Sequence, residues 1–268
     1  MSPQPAPAPL LIACALGIEQ FALRRRERGV WRRGAPVARA HGGPPARAKP
    51  GVGEREGPDE GGAEHGRALA TGFQRPGAAR DTWSTTGGPV IVLRTGMGPA
   101  AAERSVTRML TGPDLNRAAV LATGFCAGLA PGMHPGDLVV AEETRDPRGS
   151  VPCVGTELLV KELGRAVPGR TVHTGPLTGS DHVVRGHERS GLLATGAIAV
   201  DMESAATLLS AVRVGERPVA AVRVVVDAPE HELVRIGTVR GGISAFRVLR
   251  SVLPAFQEWH RSLPLPRR

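Results

Sequence analysis

Short apolar runs alternate along this chain with helix-like segments, and this alternation limits the folds that the chain can adopt. The runs include LLIACALG, PVIVLRTG and RPVAAVRVVVD, and most of them are rich in β-branched residues. Such runs, separated by helical segments, are typical of buried strands in a largely parallel sheet with helices on both faces. We therefore expect a single α/β domain with a mixed, mostly parallel central sheet flanked by helices.

One segment interrupts the alternation. Residues 30–88 are rich in Gly and Pro and hold few large apolar side chains, as in HGGPPARAKPGVGEREGPDEGGAEHG. A segment of this composition cannot bury enough surface to offset its ordering entropy. The first strand before it is too small to be a domain. We predict a domain spanning 10–262 with a disordered insertion at 30–88, and tails at 1–9 and 263–268.

The net charge of +9 is concentrated near this insertion. Residues 22–88 hold 13 Lys or Arg and 7 Asp or Glu, whereas the remainder is nearly balanced. No basic helix interleaved with aromatic residues occurs in the folded part, so no nucleic-acid partner is expected. A basic segment with apolar anchors such as Phe21 and Trp31 fits peripheral contact with an anionic membrane. A solvated insertion without a role is the open alternative.

The cysteines and histidines indicate a cytoplasmic protein without a metal. Cys14, Cys126 and Cys153 are scattered, with no C-x-x-C, which favours reduced thiols over disulfides or a zinc site. The eight His residues show no metal-ligand spacing. No apolar run reaches the roughly 18 residues of a membrane span. The N-terminal apolar stretch has no basic region before it, so we do not interpret it as a signal peptide.

Carboxylates follow three of the predicted strands. AIAV ends at Asp201–Glu203, VAAVRVVV ends at Asp227, and LLIACALGI leads to Glu19. A fourth strand, VLATG, is predicted to open a loop at Phe125–Gly128. Parallel strands bring their carboxyl ends to one edge of the sheet, where ligands bind. These residues are therefore predicted to share a site.

Each of these residues also has a purely structural explanation. Asp201 could cap the following helix, and Glu203 could complement the dipole of that helix. Asp227 could be a turn residue, and Glu19 could be a solvated helix charge. Their positions in the sequence leave both explanations open.

Three motifs in order carry a family resemblance. TGMGPAAAERS, ATGFCAGLAPGMHPGDLVVAEET and VDMESAA together resemble the nucleoside phosphorylase / nucleosidase superfamily. Within it, they are similar to the branch of methylthioadenosine/S-adenosylhomocysteine nucleosidase and the hopanoid-associated phosphorylases. The resemblance covers the chain outside 1–9 and 30–88. It implies the same fold, a small-molecule nucleoside as substrate, no cofactor and a homo-oligomer.

The resemblance implies catalytic and sugar-binding roles for four residues. Met202 would pack against the ribose, and Glu203 would accept hydrogen bonds from its hydroxyls. Asp227 would hydrogen-bond and protonate the purine at N7, and Glu19 would activate water. These roles suit the chemistry, because the broken bond leaves an oxocarbenium-like sugar and an anionic base.

Four further residues would border the ligand. Phe125, Cys126 and Ala127 would lie beside the sugar and base, with the backbone of Cys126 and Ala127 facing the ligand. The backbone of Val184, in GSDHVV, would read the adenine edge.

The chain also departs from the family pattern. Ala122 stands where the phosphorylases carry a basic residue that holds phosphate, which disfavours phosphorolysis. Phe125 replaces a small hydroxyl residue, and Val226 replaces a Ser before the Asp. A bulky, apolar Phe125 suits a substrate with a large apolar 5′ group.

We therefore expect an enzyme that hydrolyses the N-glycosidic bond of an adenine nucleoside with a 5′ substituent, such as an adenosylated hopanoid. Two alternatives remain at this point. The first is a nucleoside phosphorylase that yields a sugar 1-phosphate. The second is a catalytically inactive, nucleoside-binding regulatory protein.

Overall fold

The computed structural model describes residues 8–24, 80–85, 87–229 and 238–263. Within these ranges, nine strands form in the order β1 (Leu10–Cys14), β2 (Arg80–Thr85), β3 (Gly88–Arg94), β4 (Ala119–Gly128), β5 (Leu138–Asp146), β6 (Gly149–Pro152), β7 (Val172–Gly179), β8 (Ala199–Asp201) and β9 (Val219–Asp227). The α-helices in the same ranges are α1 (Gly17–Leu23), α2 (Pro99–Leu110), α3 (Thr156–Ala166), α4 (His187–Ala194), α5 (Ser204–Val214), α6 (Thr238–Ser251) and α7 (Leu253–Ser262). The predicted alternation of strands and helices is confirmed over most of this length.

The strands form one mixed sheet. β1 pairs in parallel with β3 and β4, and β2 lies antiparallel on the outer edge of β3. The strands β4, β8, β7, β5 and β9 pair in turn and return to β4, which closes a ring. Five of the nine pairings in the described ranges are parallel, as predicted.

Helices cover both faces of the sheet. In β1, Leu10, Ile12 and Cys14 point into one buried cluster, together with side chains of α1, α3, α6 and α7. Leu11 and Ala13 point into a second cluster, against α2 and α5. Successive side chains of a strand alternate between faces, so a strand covered on both sides must be apolar throughout. This explains why β1 reads as an uninterrupted apolar run.

The predicted insertion reaches too far at its C-terminal end. Residues 80–85 form the edge strand β2, in which partly buried side chains alternate with exposed ones. An edge strand buries only one face, so it needs few apolar residues and resembles a loop in composition. Arg24 Nε binds Asp81 Oδ2 at 3.2 Å, which brings the two flanks of the segment together. Residues 25–79 lie outside the described residues.

The predicted closing helix is two helices, α6 and α7. They meet at Val252, and Pro254 lies in the first turn of α7. Proline lacks an N–H and its ring clashes with the preceding turn, so it ends one helix and starts the next. No helix in the described ranges is long and apolar enough to cross a membrane. The predicted tails fall almost entirely outside those ranges.

Candidate active site

One cavity gathers every residue that the sequence predicts for the site. It opens where β1, β4, β8 and β9 end, and α1, α4 and the loop after β3 complete its wall. The predicted residues that line it are Glu19, Phe125, Cys126, Ala127, Val184, Met202, Glu203 and Asp227. Of the strands that end at this cavity, β1 and β9 pair in parallel with β4, whereas β8 pairs antiparallel with it.

Glu19 is a buried carboxylate held by backbone N–H groups. Its Oε2 accepts from Ala15 and Leu16, each at 2.8 Å, and its Oε1 accepts from Phe125 at 2.9 Å. The side chain is only 2% exposed, which rules out the solvated helix charge. Burial raises the pKa of the Glu19 carboxyl, while Arg223 and the three N–H groups oppose part of that shift. Leu16 is the N-cap residue of α1, so the hydrogen bond from its N–H to Glu19 also caps this helix.

Phe125–Gly128 continue β4, where the sequence suggested a loop. Cys126 pairs with Val225 of β9, and Ala127 pairs with Asp227 after a shift in register. The Gly residues in ATGFCAG suggested a turn, but Gly124, at φ 134°, lets the strand continue past crowded side chains. A Cβ there would lie 2.4 Å from Glu19 Oε1. Because the strand runs along the cavity, Phe125 and Ala127 still line it.

Cys126 lines the wall of the cavity in surroundings that disfavour a thiolate. Its side chain is buried, and burial strongly raises the pKa of its thiol. The reactive form of a cysteine is the thiolate, which such an environment disfavours.

Arg223 is a buried charge that the sequence interpretation missed. It lies in β9, and its guanidinium forms an ion pair with Asp201. Its Nε donates to Ser204 Oγ and its Nη1 to Thr123 O, both at 2.8 Å. A single Arg inside the apolar run VAAVRVVV was the available signal, because a buried charge requires partners.

Asp201 has the structural role considered for it. Both of its carboxylate oxygens accept from the N–H of Ser204, the first residue of α5. This bond satisfies one of the free N–H groups at a helix start. Together with the Arg223 ion pair, it fixes the point where β8 turns into α5.

Glu203 and Met202 follow Asp201 and line the cavity. Glu203 Oε1 accepts from the N–H of Gly98 at 2.7 Å, which ties α5 to the loop after β3. Burial raises the pKa of the Glu203 carboxyl, and the charge of Arg223 opposes that shift. A buried carboxylate with one oxygen fixed is a suitable acceptor for hydroxyl groups.

Asp227 forms a buried ion pair with Arg189, a residue of α4 that the sequence interpretation also missed. Arg189 Nη2 donates to Asp227 Oδ2, and Arg189 Nε donates to Val184 O at 3.4 Å. Among the described residues, Arg189 Nη1 and Asp227 Oδ1 are buried without a hydrogen-bond partner. In HERSGLLA, the Arg sits among polar residues, so nothing in the sequence distinguishes it from a surface charge.

Residues 63–253 match the sequence model of the phosphorylase superfamily. A Helicobacter pylori 5′-methylthioadenosine/S-adenosyl homocysteine nucleosidase is 14% identical, with a TM-score of 0.64, over 95% of this chain and 99% of that one. A futalosine hydrolase of the same organism is 14% identical, with a TM-score of 0.63, over 94% and 97%.

A third similar structure contains a ligand. It is a Colwellia psychrerythraea 5′-methylthioadenosine/S-adenosylhomocysteine nucleosidase in complex with adenine, 14% identical, with a TM-score of 0.63, over 95% of this chain and 96% of that one. At these identities, the likeness to all three structures establishes a shared fold.

Proposed function

This chain belongs to the phosphorylase superfamily, and from that premise we propose that it hydrolyses the N-glycosidic bond of an adenine nucleoside with a 5′ substituent. One observation carries the proposal: Glu19, Glu203 and Asp227 come from three separate strand ends and line the same cavity. Adenine is the base in the Colwellia psychrerythraea complex, which supports the choice of base.

Glu203 and Met202 bind the ribose in this proposal. Gly98 N–H fixes Glu203 Oε1, and no described residue donates to Oε2, which therefore accepts from a sugar hydroxyl. Met202 supplies the apolar wall beside it. This arrangement orients the anomeric carbon toward Glu19.

Glu19 activates the attacking water. A carboxylate offers about four acceptor sites, and three N–H donors occupy three of them. The remaining site is fixed in direction and accepts a proton from one water molecule. Burial raises the pKa of Glu19, which makes it a stronger base near neutral pH.

The base needs a donor at N7 as it leaves, because it otherwise departs as an anion. The Asp227–Arg189 pair lines the cavity and supplies that donor. The sequence prediction assigned it to Asp227 as a proton donor.

The lack of an unpaired Arg or Lys among the described lining residues favours hydrolysis over phosphorolysis. Among the described residues that line it, Arg189 is the only Arg or Lys, and it is already paired with Asp227. Arg94, a sequence candidate for binding the anion, is not among those lining residues. A phosphate nucleophile would need an unpaired cation beside the sugar.

The 5′ substituent is apolar in this proposal. Met97 and Val183 line the cavity yet are 64% and 58% exposed, so they form an apolar rim that Phe125 extends inward. A substrate such as an adenosylated hopanoid would cover these side chains.

Product analysis tests the proposal. The protein is incubated with adenosine, 5′-methylthioadenosine and an adenosine bearing a long 5′-alkyl group, with and without phosphate. We expect adenine and a free sugar without phosphate, fastest with the alkyl compound. Strict phosphate dependence with a sugar 1-phosphate would establish the phosphorylase alternative. Tight binding without release of any base would establish the regulatory one.

Two further expectations concern assembly and location. We expect a homo-oligomer, which light scattering measures directly. We also expect a cytoplasmic protein that contacts anionic membranes through the basic residues 22–88, most of which lie outside the described residues. Deleting residues 34–79, which keeps β2, should weaken salt-sensitive binding to anionic vesicles. A parent protein that ignores such vesicles at low salt contradicts the membrane contact.

A further inference from the structure

The Asp227–Arg189 pair is incomplete without a ligand. Arg189 Nη2 and Asp227 Oδ2 satisfy each other, but Arg189 Nη1 and Asp227 Oδ1 are buried with no partner among the described residues. Leaving buried polar atoms unpaired costs free energy, most of all on charged groups. Because both residues line the cavity, a bound molecule can supply the missing partners.

The two free atoms have opposite hydrogen-bonding character. A guanidinium nitrogen only donates, and a carboxylate oxygen paired with a guanidinium accepts. The Hoogsteen edge of adenine is complementary, since N7 accepts and the 6-amino group donates. A 6-oxopurine presents two acceptors along that edge, and one of them would face the carboxylate.

We propose that Arg189 Nη1 donates a hydrogen bond to adenine N7 while Asp227 Oδ1 accepts one from the 6-amino group. The assignment rests on the proposed function, because it requires adenine in this cavity. Arg189 is thus a base-contacting residue, and Asp227 remains a carboxylate. Val184 O, which accepts from Arg189 Nε, orients the guanidinium.

This assignment changes how the base departs. As the glycosidic bond breaks, the purine gains negative charge, part of it at N7. A fixed guanidinium stabilises that charge without transferring a proton. The departing anion then takes a proton from solvent water, and the proton that Glu19 accepted passes to solvent. The same pair selects 6-aminopurines over 6-oxopurines.

Free bases test the assignment, because they need no knowledge of the 5′ group. Calorimetry compares adenine with 7-deazaadenine, which has a CH in place of N7, and with purine, which lacks the amino group. In the parent protein, each change should weaken binding by about tenfold or more, as expected for a hydrogen bond with a charged partner. Hypoxanthine should bind more weakly than adenine.

Two variants should separate the contacts. Arg189→Met should bind adenine and 7-deazaadenine equally while still preferring adenine to purine. Asp227→Ala should bind adenine and purine equally while still preferring adenine to 7-deazaadenine. Arg185→Met changes an exposed Arg just before α4 and should bind all bases as the parent does.

The outcomes are distinct. If Arg189→Met keeps the preference for adenine over 7-deazaadenine, or if Asp227→Ala loses it, Asp227 is the donor at N7 and the assignment is overturned. Should Arg189→Met fail to fold by circular dichroism, the Asp227→Ala measurement decides alone. A parent protein that does not bind adenine overturns the proposed function itself, whereas adenine binding with the wrong pattern overturns only the role of Arg189.

Discussion

Glu19 and Asp227 both follow apolar strands and line the same cavity, yet their surroundings differ. Three backbone N–H groups hold Glu19, and both of its oxygens are bonded without any ligand. A single side chain holds Asp227, and one of its oxygens has no partner among the described residues. The Glu19 end is therefore preorganised by the main chain, whereas the Asp227 end leaves one carboxylate oxygen unpaired.

The largest loss of activity is expected when Glu19 is substituted. Glu19→Gln should lower hydrolysis by about 10³–10⁴-fold, at the upper end of general-base effects, because an amide cannot accept the proton of water. Its NH₂ group would also face a backbone N–H. Release of adenine from the best substrate measures the loss. Glu157→Gln, at an exposed position of α3, is the matched control. Near-parent turnover of Glu19→Gln would disprove the role of Glu19 as the general base.

A smaller loss of activity is expected at the Asp227 end. Asp227→Asn should fold as the parent does and release adenine about 10²–10³-fold more slowly, because a neutral amide neither balances the charge of Arg189 nor holds its guanidinium as firmly. Single-turnover kinetics measure the rate. Asp114→Asn, at an exposed Asp, should be unaffected. Unchanged turnover in Asp227→Asn would mean that the base leaves without help from this end.

The third prediction concerns the stability of the crowded region around Glu19. In Gly124→Ala, the new Cβ would lie 2.4 Å from Glu19 Oε1 and 2.6 Å from Arg223 Nη1, at φ 134°. The free energy of unfolding should fall by about 2–4 kcal/mol, from strain and overpacking. Gly164→Ala in α3, where the Cβ meets nothing within 4 Å, should instead be neutral or stabilising. Urea denaturation that shows no difference between them would mean that the Glu19 end is not crowded.

The smallest effect depends on pH. The folded state raises the pKa of Glu203 above its ordinary value of 4.5, chiefly through burial, so ionising this carboxyl costs stability. Glu203→Gln should therefore be more stable than the parent at neutral pH, by about 1.4 kcal/mol for every tenfold by which folding weakens the acid. The stability difference between Glu203→Gln and the parent should shrink as pH falls toward 4.5. The Glu203 carboxyl of the folded parent is then protonated and, like the amide of the variant, carries no charge. Thermal unfolding across this range checks the sign, and an advantage that grows in acid would contradict it.

Much of this architecture is predictable because strand direction organises it. Glu19 and Asp227 follow β1 and β9, which both pair in parallel with β4, so strand direction brings them to one edge of the sheet. Glu203 follows β8, which is antiparallel to β4, so its position does not follow from that rule. Arg223 was equally visible, as one charge inside VAAVRVVV. The sequence could not predict the partner of Asp227, since Arg189 lies 38 residues away in a helix start of ordinary polar composition. That contact depends on how α4 packs against the cavity, which local pattern does not encode.

Local composition also misleads where a segment is only half covered. β2 pairs with β3 at the edge of the sheet, and only its face that carries Trp83 is partly buried, so its six residues carry the polarity of a loop. Phe125–Gly128 misled for a different reason, because Gly124 and Gly128 lie in a strand, where a Cβ would crowd neighbouring side chains, and do not form a turn. In both cases, tertiary contacts decide the conformation and local preference does not.

The contact between Arg24 and Asp81 gives this enzyme a junction at which inserted sequence is tolerated. Arg24 and Asp81, which form one ion pair, flank the 55 residues from 25 to 79 in the sequence. Ring closure over such a span has a free-energy cost that grows only with the logarithm of its length. A short turn in its place would lower that cost by about 2 kcal/mol, and a folded module with adjacent termini could occupy the same junction.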